Sequence, residues 1–269
     1  MIEVLIALIG FILIGAFAGV LGGLLGIGGG VITVPSLYFL FRLLDYPHSN
    51  LMLVAIGTSL GAMVLNTISS TRAFNKRGSV KWDIFKQLIP GLLIGSILGA
   101  FIANQLEGAV LRYGFGLFLI LLAIKFFKEK PSHQEHHVLP KPLLLAFLST
   151  GIGTISNILG IGGGTLLVPL LSSFRLEPKK AIGTSAACTL FVTCVGATSY
   201  LILGWKETDF PKTIGYVSLP AFLLVGIVSY ITALYGVKLT HQLKPQKIRK
   251  IFAAVLLITA IMMLSNFVK

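Results

Sequence analysis

Two short groups of residues in this chain could do chemistry, and each occurs twice. Gly26-Ile27-Gly28-Gly29-Gly30 is followed by Pro35, and Gly160-Ile161-Gly162-Gly163-Gly164 is followed at the same distance by Pro169. Ala55-Ile56-Gly57-Thr58-Ser59 recurs as Ala181-Ile182-Gly183-Thr184-Ser185. Adjacent glycines in an apolar segment break a helix and bare its amides, which a membrane tolerates only where protein or a cavity satisfies them. If Gly28, Gly29 and Gly30, and likewise Gly162, Gly163 and Gly164, stand where new helices begin, their N–H groups have no partner inside the helix. The helix end there is also positive, so backbone alone could hold an anion without a buried Lys or Arg.

The hydroxyls of Thr58, Ser59, Thr184 and Ser185 can complete such a site if their segments line the same cavity. Asn157, three residues before Gly160, and Asn66 are polar groups at membrane depth that need partners. Asn157 is placed to join the site, and Asn66 to tie helices together. Each motif also has a plainer reading. Glycines can simply let helices cross closely, as expected for Gly95 and Gly99, and Ser or Thr in a membrane helix can bond to its own backbone. Gly-Thr-Ser also resembles the Gly-x-Ser of intramembrane serine proteases, but a serine nucleophile needs a base within reach. All five histidines, His48, His133, His136, His137 and His241, fall in expected loops. The glycine runs do not fit a dinucleotide fingerprint, lacking a preceding soluble strand and a following acidic residue. An enzyme is therefore not expected, nor is a cofactor or a metal.

The segments that must position these groups are membrane helices. Of 269 residues, 55% are hydrophobic and 12% charged. Charge-free runs such as Val4 to Phe41, Leu143 to Phe174 and Ala181 to Trp205 exceed the roughly 20 residues that cross a bilayer. The first apolar segment lacks a basic start and a cleavage site, and reads as a retained helix. The net charge of +13 comes from Lys and Arg clustered beside apolar segments, which fits cytoplasmic loops and anionic lipid rather than nucleic acid. Cys188 and Cys194, on different faces of one segment, read as small core residues.

The expectation is an all-α polytopic membrane protein of two repeats, with five hydrophobic segments in each. The first repeat, 1–127, holds Val4 to Leu25, Gly30 to Phe41, Leu51 to Arg72, Trp82 to Asn104 and Val110 to Phe127. A polar cytoplasmic linker, 128–142, follows. The second repeat, 143–269, holds Leu143 to Leu159, Gly164 to Phe174, Pro178 to Leu203, Thr213 to Lys238 and Ile248 to Phe267. The windows Gly19 to Leu37 and Gly153 to Leu171 agree at ten of nineteen positions, Pro90 pairs with Pro220, and Leu111-Arg112 pairs with Ile248-Arg249.

Charge sets the orientation. The third-to-fourth loop carries Arg72, Lys76, Arg77 and Lys81, the linker Lys128, Lys130 and Lys141, the seventh-to-eighth loop Arg175, Lys179 and Lys180, and the ninth-to-tenth loop Lys238, Lys244, Lys247, Arg249 and Lys250. These four belong in the cytoplasm, and the nearly neutral loops, including Arg42 with Asp45 and Glu107 with Arg112, belong outside. Both termini then lie outside and the repeats are inverted, with Gly-broken or re-entrant helices meeting near the midplane, a plan common in secondary transporters. No carboxylate is placed deep in a segment, so a buried proton relay is not supported. A neutral cavity of amides and hydroxyls suits an anion better than a cation.

These residues resemble the TauE/SafE family of sulfite and organosulfonate exporters, grouped with 4-toluenesulfonate uptake permeases. The resemblance rests on Gly-Ile-Gly-Gly-Gly-x4-Pro in both halves, the Gly-Thr-Ser pair, and Lys76-Arg77-Gly78-Ser79-Val80-Lys81-Trp82 leading to Pro90-Gly91. It covers essentially the whole chain. It implies a bacterial-type inner-membrane permease for sulfite, sulfonates or similar sulfur anions; the inverted duplication and the absence of buried carboxylates point to alternating access. A transporter or channel for another small anion, or an intramembrane serine hydrolase using Ser59 or Ser185, are the alternatives. The expected partners are the small anion and membrane lipids, with no nucleic acid; a homo-oligomer is left open.

Overall fold

The computed structural model describes residues 2–47, 50–128, 142–205, 207, 210–243 and 245–265. The described chain is built almost wholly of helices: α1 (Ile2–Leu25), α2 (Gly30–Leu43), α3 (Leu51–Lys76), α4 (Trp82–Gln105), α5 (Gly108–Lys128), α6 (Pro142–Leu159), α7 (Gly164–Ser173), α8 (Pro178–Leu203), α9 (Leu219–Gln242) and α10 (Pro245–Leu264). Five of them, α1, α3, α4, α8 and α9, are long and apolar enough to cross a membrane by themselves. The remainder of the linker expected at 128–142 lies outside the described residues.

One expected boundary is corrected. Thr213 to Ser218 is not the start of a helix but a small antiparallel ribbon, β1 (Thr213–Ile214) and β2 (Val217–Ser218). Gly215 turns between the strands at a φ of 55°, a left-handed conformation that favours glycine. Pro220 then sits in the first turn of α9, where a missing N–H costs nothing.

The main helix pairings keep their form when the two halves are exchanged. α1 lies along α9 and α6 along α4; α3 meets α9 and α8 meets α4; α2 rests on α3 and α7 on α8. The pairs α3 with α8 and α5 with α10 map onto themselves. α3 is the most central of the long spans, with 83% of its most apolar window buried against 22% for α1. Apolar side chains of α1, α4, α5, α9 and α10, such as Phe17, Phe101, Leu121, Ile231 and Ile258, are left exposed on the outer surface, where lipid would cover them.

The loops sort into two faces. On one, Asn50 Nδ2 donates to the Glu207 carbonyl at 2.9 Å, Tyr46 stacks on Phe210, and Arg112 donates to the Met263 and Ser265 carbonyls at the end of α10. On the other, Arg77 reaches the Val237 carbonyl and His241. The turn after α3 is a Schellman cap: Gly78 has φ 65°, its N–H bonds Asn75, and the Ser79 N–H bonds Phe74. The basic loop motif thus stops α3 and aims the chain at the other half.

Small residues let helices close on one another. Gly95 faces the carbonyl of Thr150 and Gly99 that of Thr154, so the close-crossing reading of this pair holds. Gly95→Val is expected to cost about 1–3 kcal/mol by forcing α4 off α6. The measurement is thermal unfolding in detergent, and a midpoint equal to the parent's would contradict this packing.

Candidate functional site

Both glycine runs are buried throughout, from Gly26 to Val31 and from Gly160 to Thr165. They fold alike. Gly26, Gly28 and Gly29 have φ of 67°, 76° and 86°; Gly160, Gly162 and Gly163 have 69°, 72° and 88°. Side chains rarely adopt these values, which is why the sequence spends six glycines here. The Ile27 N–H returns to the Gly22 carbonyl and the Ile161 N–H to Ser156, closing the ends of α1 and α6. Gly29 and Gly163 are the N-cap residues of α2 and α7, and neither helix has a side-chain cap. Among the described residues, the amides of Gly28, Gly29, Gly30 and Val31, and of Gly162, Gly163, Gly164 and Thr165, meet no acceptor. Buried amides without partners are uncommon and costly.

The two runs touch each other. A Cβ built on Gly30 would stand 2.6 Å from the Gly160 carbonyl oxygen and 2.8 Å from Ile161 Cα; one on Gly164 would stand 2.5 Å from the Gly26 oxygen and collide with Ile27 Cα. The last glycine of each run is therefore seated on the first residues of the other. Around them, Gly28 faces Met63, Thr67 and Thr189, and Gly162 faces Thr189, Thr193 and Met63. Met63 and Thr189 are near the middles of α3 and α8, so the runs meet halfway along both long helices. The neighbours found at Gly28, Gly30, Gly162 and Gly164 include no charged side chain.

The Gly-Thr-Ser pair binds each half to the other. Ser59 Oγ donates to the Gly160 carbonyl at 3.3 Å, and Ser185 Oγ to that of Gly26 at 3.3 Å. Thr58 Oγ1 accepts the Ser218 N–H, and Thr184 Oγ1 the Lys81 N–H, each at 2.9 Å. Ser218 and Lys81 are the N-cap residues of α9 and α4. All four hydroxyls are fully buried. They are engaged with backbone here, the threonines holding helix starts and the serines holding the first carbonyl of the opposite glycine run.

Of the two asparagines, Asn66 borders the first run. Its Nδ2 donates to Ala18 at 3.2 Å and, with the Gly29 nitrogen, lies 2.8 Å from a Cβ built on Gly22. That bond ties α3 to α1. Asn157 donates to Gly153 in its own helix, and its carbonyl accepts the Tyr200 hydroxyl. The Oδ1 atoms of both are buried without a partner, as are the hydroxyls of Ser156 and Thr165 beside the second run.

Met63, Thr67, Thr189, Thr193, Ser156 and Thr165 were not singled out from sequence. A signal for four of them was present: Ser59, Met63 and Thr67, and Ser185, Thr189 and Thr193, recur at steps of four and so share a helix face.

A family profile described as sulfite exporter TauE/SafE matches residues 11–263. A probable membrane transporter protein of Haemophilus influenzae is 33% identical over 253 residues, covering 94% of this chain and 96% of that protein. A probable membrane transporter protein of Methanocaldococcus jannaschii is 30% identical over 267 residues, covering 97% of each. The probable membrane transporter protein YunE of Bacillus subtilis is 30% identical over 212 residues, 72% of this chain and 78% of that one. No solved structure matches.

Proposed function

The chain belongs to the sulfite exporter TauE/SafE family of membrane transporters, and from that premise we propose that it moves sulfur-containing anions, sulfite or organosulfonates, by alternating access around the two facing glycine runs. The observation that carries this reading is the meeting of two unsatisfied helix N-termini halfway along α3 and α8, among neighbours that include no charged side chain. Each N-terminus presents roughly half a positive charge, and two of them facing one point suit a single anion better than either alone. Such a site needs no lysine that would bind the anion too tightly to release it.

The proposed cycle is a rocking of inverted repeats about that point. Reciprocal pairing of the halves supports it, as does the sorting of loops by charge. The carboxyl of Glu177 is held below its usual range, chiefly by a hydrogen bond from Lys180 and further by the cations of Lys180, Lys179 and Lys81. Lys81 and Lys179 belong to two loops expected in the cytoplasm, so those loops share a positive face. The proposed location is the cytoplasmic membrane, which suits the family. In this reading the glycine amides bind the anion, and the hydroxyls of Thr58, Ser59, Thr184 and Ser185 hold the runs in register. Asn66 borders the site.

The test is uptake of labelled sulfite, taurine, sulfoacetate and sulfate into proteoliposomes, with and without a pH gradient. Saturable flux of sulfite or a sulfonate in preference to sulfate is expected. Flux of none of the sulfur anions would overturn the substrate class, and a non-saturating conductance in planar bilayers would replace the transporter with a channel.

A further inference from the structure

The two glycine runs are alike in backbone but not in the side chains around them. When the runs are laid over each other, Ser156 falls on Gly22 and Thr165 on Val31; when the Gly-Thr-Ser motifs are, Val192 of α8 falls on Asn66 of α3. The second run therefore has two hydroxyls where the first has a hydrogen atom and an isopropyl group.

Both hydroxyls are fully buried, and among the described residues neither has a hydrogen-bond partner. Neighbouring side chains of the same kind satisfy themselves. In α6, Thr150 and Thr154 each donate to the carbonyl four residues back, in α8 Thr193 donates to Leu190, and at the start of α2 Thr33 donates to Gly29. Ser156 and Thr165 make no such bond, and a buried hydroxyl without a partner is unfavourable.

Their place in the fold points to what they could bond instead. Ser156 Oγ is 3.7 Å from a Cβ built on Gly163, the N-cap residue of α7. An N-cap side chain commonly bonds the first amides of its helix; Gly163 has no side chain, and the hydroxyl brought beside it by α6 leaves those amides free. Thr165 lies in the first turn of α7 and offers two free donors, its amide and its hydroxyl. Gly164, just before it, is seated on Gly26 and Ile27 of the other run.

The first run is bordered differently. Thr67 gives its hydroxyl to the Met63 carbonyl of its own helix. Asn66 gives its Nδ2 to Ala18, so the atom it has left is Oδ1, an acceptor. An anion drawn to the glycine amides is thus met by two further donors at the second run and by none of these side chains at the first.

We propose that Ser156 and Thr165 are anion-binding residues, whose hydroxyls donate to the anion's oxygens together with the α7 amides and hold it closer to the second run than to the first. The proposal rests on the anion-transport reading above, and adds the side chains that complete the site and the end of it that takes the charge.

The test is calorimetric titration of sulfite, kept reduced under nitrogen, into purified protein in an uncharged detergent, beside thermal unfolding without the anion. Ser156→Ala and Thr165→Val should each lose about tenfold in affinity, since hydrogen bonds to a charged group are the strong kind. Thr165→Ser, which keeps the hydroxyl, should retain most of the affinity. Unfolding midpoints of the empty variants should equal or exceed the parent's, because a hydroxyl without a partner does not hold the fold together. Ser96 also has a buried hydroxyl without a partner, but on α4 against Gly153, and Ser96→Ala should leave the affinity unchanged. Parental affinity in either Ser156→Ala or Thr165→Val would overturn the proposal, as would an equal loss in Ser96→Ala. A lowered midpoint in the empty variants would make the hydroxyls structural, and overturn it too. A parent protein that neither binds nor transports any of the sulfur anions removes the transport reading and this proposal with it, whereas binding and flux that continue unchanged in both variants remove this proposal alone.

Discussion

Gly164→Val should reduce anion flux in proteoliposomes by at least about a hundredfold. Gly164 has an ordinary helical conformation, so the harm comes from contact rather than from strain. The new Cβ would lie 2.5 Å from the Gly26 oxygen and press on Ile27 Cα, and both are backbone atoms that cannot rotate aside. The runs must move apart, and an anion held by amides from both loses one set. A displacement of an ångström at such a site is enough to cost about two orders of magnitude. Gly163→Val makes a useful comparison. There φ is 88° but nothing lies closer than 3.5 Å to the added Cβ, so the cost is mainly conformational, about 1–2 kcal/mol. Gly163→Val should therefore fold while transporting poorly. Gly114→Ala and Gly151→Ala, whose Cβ atoms meet nothing within 4 Å, should leave flux unchanged. Parental rates in folded Gly164→Val would remove the glycine runs from the site.

The glycine runs were legible in the sequence because their conformation is a local property. Three positive φ angles in five residues demand glycine wherever the segment ends up, and a duplicated pattern announces itself. The helical segments were legible for the same kind of reason, since the hydrocarbon core dictates length and composition. Partners were not. Ser59 meets Gly160 and Ser185 meets Gly26 across more than a hundred residues of sequence, and nothing in the spacing of either motif says which carbonyl lies opposite. The Thr213 to Ser218 ribbon was hidden because it carries no charge and runs straight into the apolar helix that follows, and only the turn at Gly215 betrays it. Arg42 and Arg112 were read as loop charges balanced by Asp45 and Glu107. Folding brings both to the edge of one cleft and gives them different settings: Arg112 is bonded to carbonyls at the end of α10, while Arg42 stands in the last turn of α2.

Gly183→Val should be far more damaging to the folded protein than Thr184→Val beside it, and the difference tests how the halves are joined. A Cβ on Gly183 would stand 2.5 Å from the Ser79 carbonyl oxygen and 2.9 Å from Ser79 Cβ. Ser79 is held from behind by its own N–H bond to Phe74, so the capped turn cannot yield without breaking the end of α3. The loop would have to lift, and with it would go the bond from the Lys81 N–H to Thr184 Oγ1 that fixes the start of α4. Overpacking together with an orphaned amide amounts to roughly 3–5 kcal/mol, a large part of the stability of an ordinary domain. Thr184→Val keeps the shape and removes only the acceptor, which should cost about 1–3 kcal/mol. The same contrast is expected at Gly57 and Thr58, where the carbonyl is that of Tyr216 and the donor is the Ser218 N–H. Unfolding midpoints and the yield of monodisperse protein in detergent give the order. If Thr184→Val and Thr58→Val lose stability but keep their affinity for the anion, these hydroxyls position the site; if affinity falls while the midpoints hold, they touch the substrate. Equal damage from Gly183→Val and Thr184→Val would mean that the hydroxyl bond, rather than the close approach of the loop, is what joins the two halves.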